Sequence, residues 1–311
     1  MEADGTAPQD RGLGSSFAAG AGAVTPMPQV LAMTMAHNEG DMLRRWVTYY
    51  GGQVGRRNLL VLDHGSTDGS TDELVNVPIV HIPRKVPSRK TPGWFDLQRT
   101  RAINRIALGL LAYYDAVIYS DTDEFLIADP SVFGSLLEVV EHHSDQGFIA
   151  GVGLNVLHDA EHESPLDPAR PVLEQRQIAA VASGYCKPLI RRSQEEWLRG
   201  FHGATVPYRV VPGLYLLHLK FADVDEQRRR HRDQREFALT TGAGHQSWWV
   251  QPQQNVDKRI SSLLQSPIEP LEDARLDYDT LVQRVKRGWR APVRSGPKPV
   301  VKLPAAWSSV V

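Results

Sequence analysis

An apolar run, Ala116-Val117-Ile118-Tyr119-Ser120, leads straight into Asp121-Thr122-Asp123-Glu124-Phe125. Three carboxylates so close repel one another unless a cation sits among them. Hard oxygen ligands of this kind suit Mg2+ or Mn2+. The ends of strands are also where open α/β sheets bind ligands. The plainer alternative is that these carboxylates cap the next turn and face water. A second candidate is Asp63, which ends the apolar run 58–63 and opens His64-Gly65-Ser66-Thr67-Asp68-Gly69-Ser70. A strand-terminal Asp can accept from a nucleobase N–H or a ribose hydroxyl. Standing alone, the stretch reads as a strand-to-helix turn, with Gly65 and Gly69 permitting a tight loop. A third candidate lies in Leu214-Tyr215-Leu216-Leu217-His218-Leu219-Lys220-Phe221. Strand alternation puts Leu214, Leu216, His218 and Lys220 on one face. That face turns from apolar to cationic, so His218 can bind a metal and Lys220 can meet a phosphate oxygen. The alternative is a core histidine bonded to a carbonyl, with Lys220 reaching water.

These residues need elements to hold them. Residues 29–36 form an apolar run of strand length, and a helix follows with Met42, Leu43, Trp46 and Tyr49 or Tyr50 at helical spacing. Asn38 or Asp41 can cap it. Strands are expected at 58–63 and 78–83. Between them Ser70-Thr71-Asp72-Glu73 has the capping-box pattern of a short helix. A loop at 84–94 precedes a helix over 96–113, with Phe95, Ile103, Ile106 and Leu110 on one face. One strand is expected over 116–128, a helix over 131–143, strands at 147–157, 184–191 and 214–221, and a charged helix over 222–238. Alternating strands and helices imply an α/β fold with a parallel sheet. Residues 1–26, rich in Gly, Ala, Ser and Pro, read as a disordered tail.

The chain of 311 residues is 41% hydrophobic and 23% charged, near globular averages, which excludes collagen, a coiled coil and wholesale disorder. Its net charge is −1, so it lacks the basic excess of a nucleic-acid binder. A single cysteine, Cys186, excludes an intrachain disulfide and a Cys-rich metal site. No stretch approaches the roughly 18 to 20 apolar residues of a transmembrane segment. The acidic start, with Glu2 and Asp4, lacks the order of a signal peptide. A cytoplasmic protein is expected, with attachment to the inner face of the membrane as an option.

Taken together, the motifs resemble those of the family 2 glycosyltransferases, nearest the branch close to the family 92 type. The residues that carry this are Asn38, Glu39, Gly40, Asp41, Leu43 and Trp46, then Asp63, then Asp121, Asp123, Glu124 and Phe125. Looser matches are Lys187–Arg192, Gly200–Gly203 and His218–Phe221. The resemblance covers about residues 29–225. It implies a GT-A fold: one Rossmann-like domain, 27–225, binding a nucleotide-diphospho-sugar on a mixed, mainly parallel sheet. Residues 226–311 then form a helical or irregular C-terminal extension. It further implies metal ligation by Asp121, Asp123 and His218, with donor contacts at Asn38, Glu39 and Asp63. The expected donor is a UDP- or GDP-sugar, the acceptor a glycan or small molecule, and the transfer inverting and non-processive. His64 stands where family 2 more often has Asp or Asn.

The chemistry of such a transfer has its own demands. Mn2+ or Mg2+ stabilises a departing diphosphate, and cations such as Arg89, Lys90, Arg101 and Lys220 can share its charge. A general base must stand beside the acceptor hydroxyl. His202, between two glycines, is one candidate, and Glu195 and Glu196 are the others. The Arg228-Arg229-Arg230 run reads as a solvated helix face, and Trp248-Trp249 as sugar-stacking or buried. His158 and His162, spaced to share a metal, read better as part of an exposed acidic loop. Two other readings compete: a nucleotidyltransferase of similar fold, and a non-catalytic nucleotide-sugar-binding module.

Overall fold

The computed structural model describes residues 27–84, 94–241, 250–274, 278, 281–291 and 299–311. The tail expected at 1–26, Arg89, Lys90, Trp248 and Trp249 lie outside the described residues. The first half is built as the apolar runs demand. Strand β1 (Val30–Ala36) is followed by helix α1 (Gly40–Val54), β2 (Leu59–Asp63) and β3 (Ile79–His81). Helix α2 (Trp94–Leu110) then leads into β4 (Ala116–Tyr119). β1 lies between β2 and β4, and β3 edges β2, all parallel. α1 buries Leu43, Trp46, Val47, Tyr50 and Val54, a stripe at helical spacing. Trp46 donates its indole N–H to Ser120 Oγ at 2.8 Å, which ties α1 to the end of β4.

Two local expectations are corrected. Residues 69–73 form turns rather than a helix. Asp68 Oδ1 takes the Ser70 N–H at 3.0 Å, so the local Asx turn wins over the capping box. The run 116–128 is also two strands. It breaks at Ser120–Asp123, and β5 (Glu124–Ala128) leaves β4 to pair antiparallel elsewhere. The acidic cluster therefore sits on a corner.

Beyond the corner come α3 (Leu136–His142), β6 (Phe148–Leu157), the single turn α4 (Val172–Gln175) and β7 (Ile178–Val181). Short strands β8 (Ile190–Arg191) and β9 (Gly203–Ala204) precede the long β10 (Arg209–Phe221). The strand expected over 184–191 is confined to β8, because Ser183–Tyr185 form a 3-10 turn. β8 runs antiparallel between β4 and β6, and β10 pairs with both β6 and β5. The C-terminal part holds α5 (Val224–Thr241), α6 (Gln253–Leu264), β11 (Ile268–Pro270), β12 (Gln283–Val285), β13 (Gly288–Arg290) and β14 (Val300–Lys302). β14 joins the main sheet beside β7, and β13 pairs with β9. The main sheet runs β11-β14-β7-β6-β8-β4-β1-β2-β3, with β10 paired to β6 and β5 to β10. This is the α/β class read from the sequence, with its parallel half at β3-β2-β1-β4.

Glycine is required at position 153 in β6. A Cβ there would lie 2.6 Å from backbone atoms of Ala182 and Tyr185, so only glycine lets the Ser183–Tyr185 turn pack on the strand. Gly153→Ala is expected to cost about 1–3 kcal/mol by overpacking, read as a lower midpoint in urea denaturation. An unchanged midpoint would show that the turn yields without cost.

Candidate functional site

The C-terminal ends of β1, β2 and β4 open into one cleft with two chambers, of about 350 and 440 Å3. The first is lined by His37, Asn38, His64, Arg84, Phe95 and Phe237. The second is lined by Asp121, Asp123, Glu124, Lys187, His202, His218 and Lys220, among others. Glu39, Arg99, Arg230 and Gln234 border both.

The corner after β4 places its carboxylates among cations from four elements. Asp121 Oδ1 accepts from Arg99 of α2 at 2.8 Å and from the Tyr119 hydroxyl at 3.0 Å. Burial works to raise the Asp121 carboxyl, but Arg99 and Lys187 outweigh it and hold it below its usual range. Glu124 is 1% exposed and paired with Lys187, itself 3% exposed. Burial leaves Glu124 above the usual range even so. Asp123 Oδ2 lies 3.5 Å from His218 Nε2 on β10. Its burial is also opposed, by His218, Arg230 and Lys220, which hold it well below the carboxylate range. Lys220 is pushed down to about 8, by burial that nearby Asp123 only partly offsets.

His218 has a defined orientation. Its Nδ1 lies 2.8 Å from Asn155 Oδ1 on β6, so Nδ1–H donates and Nε2 is turned toward Asp123, free to hold a proton or a metal. Tyr185 stacks on the ring at 4.2 Å between centroids. A lone pair facing a carboxylate oxygen calls for a proton or a cation between them. Asp123, Glu124 and His218 offer donor atoms within 4.8 Å of one another, so the group fits a metal ion. The third member is Glu124 rather than Asp121, which Arg99 holds. Because Lys187 already takes one Glu124 oxygen, Asp123 and His218 are the ligands least committed elsewhere.

His202 faces the same chamber. Its Nδ1 lies 2.7 Å from the Gly184 carbonyl, which can only accept, so Nε2 holds the lone pair. Burial, with the charge of Lys187, pushes its pKa down to about 3. The preceding Phe201 has φ +63, a left-handed backbone that a bulky residue adopts only under constraint. Its ring packs 4.1 Å from that of Tyr119.

In the first chamber Asn38 has φ +54 and ties two loops together. Its N–H donates to Ser66 Oγ at 3.2 Å, and its Oδ1 accepts from Thr67 N–H at 2.8 Å. Glu39 accepts from Arg230 of α5 at 2.6 Å, and burial still raises its pKa. His64 packs against Phe95 at 5.5 Å and Phe95 against Phe237 at 5.8 Å.

Four sequence expectations are not brought into the cleft, the exposed Glu195 among them. Asp63 is buried, accepting from Ser66 N–H at 2.9 Å and facing His81 Nδ1 at 2.8 Å, and does not line either chamber. Arg101 is exposed on the outer side of α2. Glu196 is exposed and outside the cleft, its backbone paired with Thr205. The residue missed on α2 is Arg99. It lies four residues after Phe95 and four before Ile103, on the apolar face, where a cation signals something buried to meet. Lys187 was marked in the sequence only as the start of the looser match Lys187–Arg192, and Tyr185 and Asn155 carried no sequence signal, since their partners are distant in the chain.

Compared with protein-family signatures and with curated proteins, the sequence matches none. Among solved structures it is similar to mannosyltransferase PcManGT from Pyrobaculum calidifontis in complex with GDP-Man and Mn2+. That match has 18% identity over 42% of this chain and 36% of that one, with a TM-score of 0.29. It is also similar to mannose-1-phosphate geranyltransferase from Thermus thermophilus, at 10% identity over 68% of this chain and 63% of that one, with a TM-score of 0.26. The chain thus spans about a third of the first and under two thirds of the second. Likeness at this level carries no conclusion about activity. Among the described residues, no helix is long and apolar enough to cross a membrane.

Two outcomes follow from this geometry. Asn155→Leu removes the acceptor that fixes His218 and should weaken Mn2+ binding about 10- to 100-fold, while Asn155→Asp should retain it. Calorimetric titration with Mn2+ checks this, and equal affinities would overturn it. His202, neutral when folded, binds fewer protons than in the unfolded chain between about pH 6.5 and about 3. Stability should therefore fall as pH falls through that window, and less so in His202→Gln. Parallel stability curves for the two proteins would contradict it.

Proposed function

We propose that this chain is a divalent-metal-dependent glycosyltransferase of GT-A fold. It moves a sugar from a nucleotide-diphospho-sugar, UDP- or GDP-linked, to the hydroxyl of a glycan or small-molecule acceptor. The observation that carries this reading is the two-chambered cleft: a chamber that sets the rings of His64, Phe95 and Phe237 among charged side chains, joined to one holding Asp123, His218, Lys220 and His202. The first has the size and lining of a nucleoside site. The second has the residues for a diphosphate, a metal and a proton acceptor. The parallel half-sheet, with the site at its C-terminal edge, supports the GT-A assignment. A cytoplasmic location is part of the same reading.

Asp123 and His218 would hold the metal, Mn2+ or Mg2+, with Glu124 beside them. When bound, it supplies Lewis-acid stabilisation of the diphosphate leaving group. Arg99 and Lys220 stand where the departing negative charge collects, and their burial strengthens that interaction. His202 Nε2 is the proton acceptor for the attacking hydroxyl. The new bond joins acceptor oxygen to anomeric carbon, the bond from that carbon to the phosphate oxygen breaks, and the configuration inverts. A base pushed so low is weak alone, and the incoming anionic donor raises it. Glu196, exposed and outside the cleft, takes no part in this reading, nor does Arg101. Asp63 acts as a clamp on the loop beneath the nucleoside chamber.

Calorimetry with UDP, GDP, UTP and GTP, each with Mn2+, tests the proposal. The diphosphates should bind better than the triphosphates, and Asp123→Asn should weaken metal-dependent binding by more than about 100-fold. Preference for triphosphates would favour a nucleotidyltransferase, and undiminished binding by Asp123→Asn would remove the metal role.

A further inference from the structure

Helix α5 reads from its sequence as a solvated, charge-covered rod. Its placement is different. Arg230, Gln234 and Phe237 follow one another at i, i+4 and i+7, so they share one face. That face forms a wall of the cleft. Arg230 borders both chambers and is held by two carboxylates: Glu39 Oε2 at 2.6 Å from its NH1, and Glu226 Oε1 at 2.6 Å from its Nε. The guanidinium has five N–H donors in a fixed fork. It is therefore fixed in place at the junction of the chambers with donor capacity beyond these two bonds. One turn on, Gln234 also borders both chambers, and its Oε1 is buried with no hydrogen-bond partner among the described residues. A buried amide oxygen without a partner is costly, and this one belongs to a side chain that borders the cleft, where a turn of the amide offers it a ligand's donor. Another turn on, Phe237 meets Phe95 edge-on and carries Arg84 at 5.4 Å from its ring centre.

We propose that this face of α5 is the outer wall of the donor site and reads the nucleotide one part per turn. Arg230 takes the diphosphate, Gln234 accepts from a ribose hydroxyl, and Phe237, with Phe95, covers the base. The proposal rests on the nucleotide-sugar reading and deepens it. It assigns donor recognition to three residues beyond the 29–225 stretch that carries the sequence motifs. The order along the helix matches the order of the cleft. Arg230 lies nearest the chamber of Asp123, whose charge also acts on it, and Phe237 lines only the first chamber.

The test is calorimetry of the full chain with uridine, UDP, guanosine and GDP, in the presence of Mn2+. For whichever base binds, Arg230→Gln should weaken the diphosphate about tenfold and leave the nucleoside unchanged. Phe237→Ala should weaken nucleoside and diphosphate by the same factor, about five- to tenfold. Gln234→Leu should behave like Phe237→Ala. The ratio of diphosphate to nucleoside affinity is the readout, since a general loss of folding does not move it selectively; Arg230→Lys and Phe237→Leu serve where the first variants fold poorly. Wild-type affinities in all the variants, with the wild type binding a diphosphate, would overturn the role of α5 alone. A wild type that binds no nucleotide would overturn the nucleotide-sugar reading, and this proposal with it.

Discussion

Negative charge gathered at one corner, with Glu124 buried and Asp121 and Asp123 partly so, organises this molecule. Asp121, Asp123 and Glu124 follow β4 where the chain turns out of the parallel sheet. A carboxylate taken out of water costs several kcal/mol unless it is compensated. Each of the three is met from a different element: Asp121 by Arg99 from α2, Glu124 by Lys187 from the segment before β8, and Asp123 by Lys220 from β10, with the His218 ring of the same strand beside it. Those elements must converge for the corner to exist. The break between β4 and β5, the long β10 and the Gly153 contact that seats Tyr185 all serve that convergence.

The same compensation divides the cleft. Glu39 and Arg230 form a pair between the chambers, with Arg99 alongside, so fixed charges of both signs stand where the chambers meet. On one side the rings of His64, Phe95 and Phe237 stand among charged side chains, and burial with the charge of Arg99 lowers the pKa of His64. On the other the lining is ionic, with two imidazoles whose Nδ1 protons are fixed by Asn155 and by Gly184. Both therefore present Nε2 to the same space. Such preorganisation places acceptors and donors before any ligand arrives.

Residues of one type at equivalent places have different work. Asp63 and Asp121 both stand at the C-terminal ends of parallel strands. Asp63 commits its oxygens to Ser66 and His81 and so closes a loop. Asp121 commits one to Arg99 and Tyr119 and remains at the cleft. Position on the sheet is shared, and the neighbours decide the role. Arg99 and Arg101 make the same point on a helix: two residues apart, one faces the corner and the other faces water.

Much of this was legible in the sequence where the signal is local. Apolar runs followed by polar turns marked β1, β2 and β4, since a buried strand must be apolar along its length. Repulsion among three adjacent carboxylates marked the corner, and alternation along β10 set His218 and Lys220 on one face. What depends on partners far along the chain was decided only by the tertiary structure. The capping pattern at Ser70 lost to an Asx turn, and the run 116–128 broke because β5 found its partner in β10, much later in the chain, in register with Leu214–His218. The inward stripe of α5, formed by Gln227, Arg230, Gln234 and Phe237, is largely polar. Hydrophobic periodicity is blind to a face that is buried for its hydrogen bonds and charge, so the sequence could not tell that face from one turned to water.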